Sequence, residues 1–187
     1  MSDARMDRDL LERIAGQDRA AMQALFARHN VRVYRFILRR VRNDAIAEEL
    51  VNEVFLDVWR QAGRYEGRSA VSTWMLAIAH NKAVSALRKK TEDGLDENTA
   101  DTLIDPEDDP EVAAQKRSKG EIMRQCIDRL SDEHREVIDL VYYHEKSVRE
   151  VAEIAGIPQA TVKTRMFYAR KQLSELLQEA GIDRGWP

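Results

Sequence analysis

Apolar side chains recur every three or four residues along most of the chain, which is the spacing of an amphipathic α-helix. The clearest stripes run through 19–41, 44–61 and 72–90, and a shorter one runs through 9–15. A break is expected within the first of these segments, near Asn30. No segment of useful length alternates between apolar and polar residues as a half-buried strand would. The pattern predicts an all-α fold.

The second half of the chain repeats this pattern in shorter segments. Apolar positions predict one helix over 122–130, and another that starts at the N-cap candidate Ser131 and runs to Val141. The sequence Ser147-Val148-Arg149-Glu150 has the form of a capping box, which predicts the start of a third helix. The last helix is expected to begin at about residue 161 and to end near residue 177.

Charge is segregated along the chain. Residues 1–90 contain 17 Lys+Arg and 11 Asp+Glu, residues 91–115 contain ten acids and no base, and residues 116–187 contain 13 Lys+Arg and 12 Asp+Glu. The middle segment has too few large apolar side chains to cover a core, so it is predicted to be an acidic, flexible linker. Two small helical domains, 1–90 and 116–187, are therefore predicted. The net charge of −3 does not exclude a nucleic-acid partner.

Composition excludes several classes of protein. Cys126 is the single cysteine, which excludes an internal disulfide and a Cys-based zinc site. The sequence contains no phosphate-binding glycine loop, His-Glu-x-x-His motif or nucleophile elbow, and no apolar run approaches the ~20 residues of a membrane span. We expect a cytoplasmic protein with no cofactor, no bound metal and no enzymatic activity. A sensing role stays open for the thiol of Cys126 and the imidazole of His80.

A helix-turn-helix motif is predicted in the C-terminal domain. Ala152 is followed by Gly156 after four residues and by Val162 after ten. At these positions a small residue lets two helices approach, glycine permits a left-handed turn, and an apolar residue packs the second helix back. The second helix carries polar residues near its start, suited to base edges, and basic residues suited to phosphates. These candidate DNA-binding residues are Gln159, Thr161, Lys163, Thr164, Arg165, Arg170 and Lys171.

The N-terminal domain carries a weaker nucleic-acid signal. Tyr65 lies in a predicted loop, Asn81 lies on the helix that follows, and that helix ends in Arg88-Lys89-Lys90. An aromatic side chain for stacking, an amide and a basic terminus suit single-stranded DNA. Taken alone, this pattern also fits an ordinary packed domain, and Trp74 is expected to contribute to the core.

Three segments, in this order, resemble those of a known family. The helix Asp44–Trp59 (DAIAEELVNEVFLDVW) resembles the one with which bacterial sigma factors bind core RNA polymerase. The pattern Tyr65-x-Gly67-x-Ser69-x-x-x-Thr73-Trp74 resembles their −10 element loop and helix. Leu130–Val137 (LSDEHREV), with the helix-turn-helix, resembles their fourth region, which recognises the −35 element. Two such domains joined by an acidic linker resemble the extracytoplasmic-function (ECF) group, group IV of the sigma-70 family.

The resemblance implies an alternative sigma factor with three contact surfaces. The clamp helices of core RNA polymerase would meet the polar side of the first segment, at Asp44, Glu48, Glu49, Leu50, Asn52, Glu53 and Asp57. The melted −10 strand would meet Tyr65, Arg68, Asn81, Lys82, Arg88 and Lys89. The −35 duplex would meet the seven helix-turn-helix residues named above.

The resemblance further implies a protein that is a monomer when free and that an anti-sigma factor holds until a stress signal arrives. Five positions depart from the family pattern and bear on promoter choice. Asn52 replaces a usual Gln, Ser131 replaces a common Pro, and Tyr168 replaces a commonly basic residue. Glu66 brings an acid into the loop, and His80 lies beside Asn81. Two other classes of protein stay open. One is a sigma-like decoy that binds an anti-sigma partner without recognising DNA, and the other is a dimeric helix-turn-helix repressor.

Overall fold

The computed structural model describes residues 3–92 and 120–182. Within these ranges the chain is helical and contains no strand, which confirms the predicted all-α fold. The first range holds α1 (Asp3–Ala15), α2 (Arg19–Val41), α3 (Asp44–Gln61), a 3₁₀ turn (Ala62–Arg64) and α4 (Val71–Glu92). The second range holds α5 (120–128), α6 (Asp132–Ile138), a π-helical turn (Asp139–Tyr143), α7 (Val148–Ala155) and α8 (Gln159–Glu179).

The chain divides into two compact units. The first comprises Met1–Asp101 with Ala152–Gly156, and the second comprises Thr102–Val151 with Ile157–Pro187. The predicted boundaries, with domains over 1–90 and 116–187, stay a prediction because residues 93–119 lie outside the described ranges.

α2 is the centre of the first unit, because it packs against α1, α3 and α4. Its fully buried side chains include Leu25, Phe36 and Ile37, which meet a core to which α3 contributes Val54 and α4 contributes Met75. Burial of these apolar faces is the main favourable contribution to the stability of the unit. The opposite faces of α3 and α4 are left to solvent, and the candidate binding residues of the first unit lie there.

Capping residues fix where α2 and α3 begin and end. The Asp18 carboxylate accepts hydrogen bonds from two backbone N–H groups at the start of α2. The Asn43 side chain accepts the N–H of Ile46 at 3.0 Å and caps α3. Between the two helices Arg42 adopts the left-handed conformation (φ 50°), which lets the chain reverse within two residues.

α2 is continuous from Arg19 to Val41, so the predicted break near Asn30 is wrong. His29 and Val33 are both buried, so the core face runs past Asn30 without interruption. The segment contains neither glycine nor proline. The modest helix propensity of asparagine is outweighed by the burial of its neighbours.

α1 begins at Asp3, whereas the sequence predicted a helix only from residue 9. The additional turns are held by Asp7, which is buried against α2. Its carboxylate accepts a hydrogen bond from Arg28 Nε at 2.8 Å and lies 2.8 Å from His29 Nε2. Burial lowers the pKa of His29, and the neighbouring carboxylate only partly opposes this effect.

α6 and α8 pack against each other in the second unit. Ser131 caps α6 as predicted, because its hydroxyl accepts the N–H of His134 at 3.3 Å. The helix predicted to continue to Val141 ends at Ile138 and passes into the π-helical turn. Cys126 is buried, and this burial raises the pKa of its thiol, which is the environment of a core cysteine.

The predicted turn between α7 and α8 is confirmed. Ser147 and Glu150 form a reciprocal capping box, with Ser147 N–H donating to Glu150 Oε2 at 3.0 Å and Glu150 N–H donating to Ser147 Oγ at 3.3 Å. Gly156 has a φ of +65°, which side chains with a Cβ rarely adopt. Pro158 occupies the N-cap position, and α8 starts at Gln159, ahead of the predicted start.

The predicted acidic linker falls largely outside the described ranges. Its first two residues, Thr91 and Glu92, are the last residues of α4, and 93–115 lie beyond the described part of the chain. Among the described helices, none has a stretch apolar enough and long enough to cross a bilayer.

Candidate protein- and nucleic-acid-binding surfaces

The outward face of α3 carries most of the residues predicted to bind polymerase. The exposed members of the predicted set are Asp44, Glu48, Glu49, Asn52 and Glu53, and Asp57 is half-buried. Helical spacing places Glu49, Asn52 and Glu53 around Leu56, whose side chain is 46% exposed. We call Glu48, Glu49, Asn52, Glu53 and Leu56 the α3 face.

Leu50 does not belong to this surface, which corrects the sequence prediction. Its side chain is only 7% exposed and forms part of the core with Val51 and Val54. In a helix of 3.6 residues per turn, Leu50 lies on the buried stripe although its neighbours in sequence are polar. Leu56, which was not among the predicted residues, is the exposed large apolar residue of α3, and its position opposite the apolar stripe was the available signal.

Asp44 is engaged within the first unit. The Tyr34 hydroxyl on α2 donates a hydrogen bond to Asp44 Oδ1, at the first residue of α3. This hydrogen bond, with burial and the nearby carboxylates, raises the pKa of Tyr34 to about 12. Asp44 also lies in the first turn, where a carboxylate is stabilised by the helix dipole. These two interactions within the chain are sufficient to explain why position 44 is an acid, so contact with a partner protein is not needed to explain it.

A shallow groove runs between α2 and α3 beside the α3 face. Val31 on its α2 wall is 55% exposed, and Phe26 is 38% exposed with its ring 4.7 Å from that of Phe55. Glu48 and Asn52 line the other wall. The complete lining is Phe26, Asn30, Val31, Tyr34, Glu48, Val51 and Asn52. An apolar floor rimmed by polar side chains is typical of a protein-binding surface.

Lys82 connects the α3 face to α4. Its Nζ lies 3.0 Å from Glu53 Oε2 and 2.9 Å from Asp57 Oδ2, and its side chain is only 21% exposed. Although partial burial disfavours the charge, the hydrogen bonds to Asp57 and Glu53 raise the pKa of Lys82. Lys82 was predicted to contact −10 DNA, but the structure places it between two residues predicted to bind polymerase.

The loop before α4 is held by Tyr65. Its hydroxyl donates to the carbonyl oxygen of Ser69, and its ring lies 5.4 Å from that of Trp74 at an interplanar angle of 53°. Gly67 at the tip has a φ of +70°. Burial raises the pKa of the Tyr65 hydroxyl. Tyr65 is thus half-buried against Trp74 in this structure, and neither ring lies in the deep core.

Three residues of α4 extend from this aromatic pair along one face of the helix. Trp74, Asn81 and Arg88 are spaced by seven residues, so they lie nearly in line. Asn81 and Arg88 are exposed, as is Lys89 in the last turn. We call Tyr65, Trp74, Asn81 and Arg88 the α4 stripe.

Arg68 lies apart from this stripe in the loop before α4. Its exposed guanidinium pairs with Glu66 at 2.5 Å. The acid that departs from the family pattern therefore has a basic partner within the loop. An exposed pair of this kind contributes little to stability, so Arg68 stays available to an incoming phosphate.

α8 presents most of its predicted DNA-binding residues to solvent. Its exposed members are Gln159, Lys163, Thr164, Arg170 and Lys171, and Thr161 is half-buried. The buried stripe of the helix includes Val162, Met166 and Ala169. The Thr164 hydroxyl donates to the carbonyl oxygen of Ala160 at 3.0 Å, which fixes its rotamer. We call the exposed side of α8 the α8 face.

Arg165 lies at the edge of the α8 face. Its guanidinium pairs with Glu133 of α6 at 2.8 Å, and its side chain is 21% exposed. The pair stabilises the packing of α8 on α6, so Arg165 has a structural role in addition to the predicted DNA contact.

Two aromatic residues on α8 were not among the predicted DNA-binding residues. Phe167 is 65% exposed and Tyr168 is 53% exposed, and their rings meet edge to face at 5.3 Å. Such a pair restrains both side chains. The sequence placed Tyr168 on an accessible face of this helix but not Phe167, because an apolar residue on an amphipathic helix is usually buried.

Comparison with protein families matches sigma-70 region 2 over residues 25–92 and sigma-70 region 4 over residues 126–175. The ECF RNA polymerase sigma factor SigK of Mycobacterium tuberculosis is 30% identical over 173 residues, which span 90% of this chain and 91% of SigK. The RNA polymerase sigma factor CarQ of Myxococcus xanthus is 33% identical over 176 residues, spanning 92% and 98% of the two chains. The chain therefore belongs to the sigma-70 family of RNA polymerase sigma factors, in the ECF group.

Two solved structures share the fold. CnrH in complex with the cytosolic domain of CnrY matches with a TM-score of 0.68 and 21% identity, covering 93% of this chain and 98% of that one. The Bartonella quintana sigma factor RpoE in complex with the anti-sigma factor NepR matches with a TM-score of 0.68 and 24% identity, covering 87% and 98%. The family and the fold expected from the sequence are confirmed.

Proposed function

We propose that this chain directs core RNA polymerase to a specific set of promoters through the three surfaces described above. The observation that carries the proposal is the order of the two matched sigma regions, with the candidate residues on the outward faces of α3, α4 and α8. The chain itself makes and breaks no covalent bond, since RNA synthesis belongs to the polymerase. This role places the protein in the cytoplasm.

The α3 face is the proposed polymerase-binding surface. The carboxylates of Glu49 and Glu53 lie beside the exposed Leu56, which favours a partner with basic side chains around an apolar position. The clamp helices of core polymerase are the partner that the family resemblance implies. Asn52, in place of the usual glutamine, keeps the same amide group on a side chain shorter by one methylene.

The α4 stripe is the proposed contact for the unpaired −10 strand. Tyr65 and Trp74 provide aromatic surface on which a base can stack, and the Asn81 amide provides hydrogen bonds to a base edge. Arg88 and Lys89, further along α4, are placed for the phosphate backbone. Lys82 is assigned a different task, because its ammonium group is held by Glu53 and Asp57.

The α8 face is the proposed contact for the −35 duplex. A helix-turn-helix places the start of its second helix in the major groove, which brings Gln159, Lys163 and Thr164 to the bases. Arg170 and Lys171 lie two turns later, where basic side chains meet phosphates. Tyr168, where the family commonly has a basic residue, replaces a charge by an aromatic ring and a hydroxyl.

An anti-sigma factor is the proposed inhibitory partner, released under stress. The groove between α2 and α3 and the exposed Val31 and Leu56 form an apolar surface on the domain that binds polymerase. A partner seated there would exclude polymerase by covering the α3 face. The Bartonella quintana sigma factor RpoE, which shares this fold, was solved in complex with the anti-sigma factor NepR, and this supports the proposal without identifying the partner of this chain.

Run-off transcription tests the proposed function. The purified chain is mixed with bacterial core polymerase and fragmented DNA of the source genome, and the 5′ ends of the transcripts are sequenced. We expect discrete start sites that share upstream −35 and −10 elements. Polymerase binding without transcripts favours the decoy, and dimers in sedimentation with no polymerase binding favour the repressor.

Surface variants connect this activity to the α3 face. Glu49→Ala/Asn52→Ala removes an exposed acid and an exposed amide, and we expect weaker polymerase capture with an unchanged unfolding midpoint. Glu12→Ala/Gln23→Ala removes the same two groups from exposed positions of α1 and α2 and serves as the matched control. Equal capture by the two variants contradicts the assignment of the α3 face.

A further inference from the structure

A flank of α2 carries a row of arginines that none of the three surfaces uses. From Arg19 to Asn43 the chain contains seven arginines and no aspartate or glutamate. Arg28, Arg32, Arg35 and Arg39 are separated by four, three and four residues, so they lie in line along the helix. This row follows the side of α2 away from the groove that α2 forms with α3. We call Arg32 and Arg35, both of which are exposed, the α2 flank.

Arg28, at the N-terminal end of the row, is neutralised by α1, whereas Arg32 and Arg35 are not. Arg28 pairs with Asp7 at 2.8 Å and Asp3 at 3.2 Å, and Asp3 is the first residue of α1. Arg32 and Arg35 lie one and two turns further along α2, and both are exposed. Within residues 3–92 and 120–182, no ion pair joins either of them to a carboxylate.

Helix stability does not account for these arginines. Like charges three or four residues apart repel each other and weaken a helix. Basic residues favour the last turn of a helix because they complement its dipole, and Arg39 and Arg40 satisfy this rule. Arg32 and Arg35 lie in the middle of a 23-residue helix, where the dipole no longer explains them.

The chemistry of the row matches a phosphate backbone. Guanidinium groups bind phosphate oxygens through two parallel hydrogen bonds, which distinguishes arginine from lysine. Side chains one helical turn apart are about 5–6 Å from each other at Cβ, and a DNA strand presents one phosphate for about every 3.4 Å of its axis. Neighbouring arginines of the row can therefore meet phosphates of one strand without a change in the backbone of α2.

We propose that the α2 flank is an additional DNA-binding site, which holds phosphates of promoter DNA without regard to base sequence. It rests on the proposed function, since it assigns the flank to DNA already engaged by the holoenzyme. Its contribution is electrostatic and releases counterions from the DNA. It therefore strengthens binding to every promoter and leaves promoter choice to α4 and α8.

The test measures promoter binding of the holoenzyme as a function of salt, with the full chain carrying Arg32→Ala/Arg35→Ala. We expect the slope of log K against log salt concentration to become less steep by about 1.8, because two duplex phosphate contacts are lost. Promoter and non-promoter DNA should lose affinity by the same factor. Arg32→Lys/Arg35→Lys preserves the charge and should keep most of the slope.

Controls separate this site from general charge effects. Arg19→Ala removes an exposed arginine from the first turn of the same helix and should leave the slope unchanged. An unchanged slope in Arg32→Ala/Arg35→Ala overturns the proposal. Weaker capture of core polymerase with an unchanged slope also overturns it and assigns the flank to an acidic protein surface. If the unmodified holoenzyme forms no promoter complex, the proposed function itself fails, and this result is distinct from the other two.

Discussion

α3 and α8 both present polar faces to solvent, but they hold their charges differently. On α3, Glu53 shares Lys82 with Asp57, and Asp44 accepts a hydrogen bond from Tyr34. On the α8 face, an ion pair to another helix engages Arg165, while Lys163 and Lys171 extend into solvent. A residue that lies opposite the apolar stripe of a helix is expected to be exposed. Its position does not show whether its charge already forms an ion pair or a hydrogen bond within the protein.

The largest expected effect separates two leucines of α3. Leu50→Ala removes a buried side chain and should lower the free energy of unfolding by about 2–5 kcal/mol. Leu56→Ala removes an exposed side chain and should change it by less than about 0.5 kcal/mol while weakening polymerase capture. Urea unfolding and a polymerase pull-down measure the two effects. Equal destabilisation by both variants would show that Leu56 is a core residue.

Lys82→Met tests whether the ammonium group is structural. The substitution leaves Glu53 and Asp57, one turn apart, facing each other without a counter-charge, and should cost about 1–2 kcal/mol of unfolding free energy. The salt slope of promoter binding should stay unchanged, because no phosphate contact is lost. A slope less steep by about 0.7 would instead assign Lys82 to the unpaired −10 strand, as the sequence predicted.

A triple variant provides the control for this experiment. Lys82→Met/Glu53→Gln/Asp57→Asn removes the charges of all three residues, so the repulsion between the carboxylates disappears. We expect it to recover part of the stability that Lys82→Met loses. If the triple variant recovers none of this stability, the aliphatic part of Lys82, rather than its charge, holds α4 against α3.

Lys163 and Arg165 allow a comparison between an exposed basic residue of α8 and one that forms an ion pair with α6. Lys163→Ala should leave stability within about 0.5 kcal/mol and reduce promoter affinity. Arg165→Ala also removes the pair with Glu133, and should cost about 0.2–1 kcal/mol of stability. Thermal unfolding and binding to promoter DNA are measured on both variants. If Lys163→Ala and Arg165→Ala unfold with the same free energy, Arg165 does not contribute to stability.

A further expected effect is a pH dependence at the start of α3, which appears only in alkaline solution. The pKa of Tyr34 is raised to about 12 because its hydroxyl donates to Asp44. The folded chain therefore keeps this proton at a pH where the unfolded chain, with an ordinary value near 10, loses it. The contribution to stability is fully present below pH ~10 and is lost as the pH rises towards about 12.

Tyr34→Phe should remove this dependence. Spectrophotometric titration of the tyrosines, with unfolding measured at each pH, provides the comparison. A Tyr34 that titrates near its ordinary value would contradict the hydrogen bond to Asp44.

Features governed by neighbours in sequence were predictable. The capping box at Ser147 and Glu150 and the left-handed Gly156 depend on a few adjacent residues, and all are confirmed. The predicted break near Asn30 is wrong because local propensity is weak compared with burial on a central helix. The family was recognisable because several motifs occur in the expected order, although each motif alone is ambiguous.

The partners of individual charged residues were not predictable. Lys82 meets Glu53 from 29 positions away in the sequence, through the packing of α4 against α3. Arg165 likewise depends on how α8 packs against α6. The exposure of Leu56 and Phe167 could be inferred only from their positions away from the apolar stripes of α3 and α8, because their apolar character alone would assign them to the core.

The contact between Tyr65 and Trp74 gives the chain an intrinsic optical reporter. Trp74 is one of three tryptophans, and its emission depends on a tyrosine ring 5.4 Å away. If an unpaired base displaces Tyr65 or stacks beside it, the fluorescence of Trp74 changes at the moment of capture. With Trp59 and Trp186 replaced by phenylalanine, Trp74 is the remaining tryptophan of the chain, and its emission would report a base beside Tyr65 without a label on either the DNA or the protein.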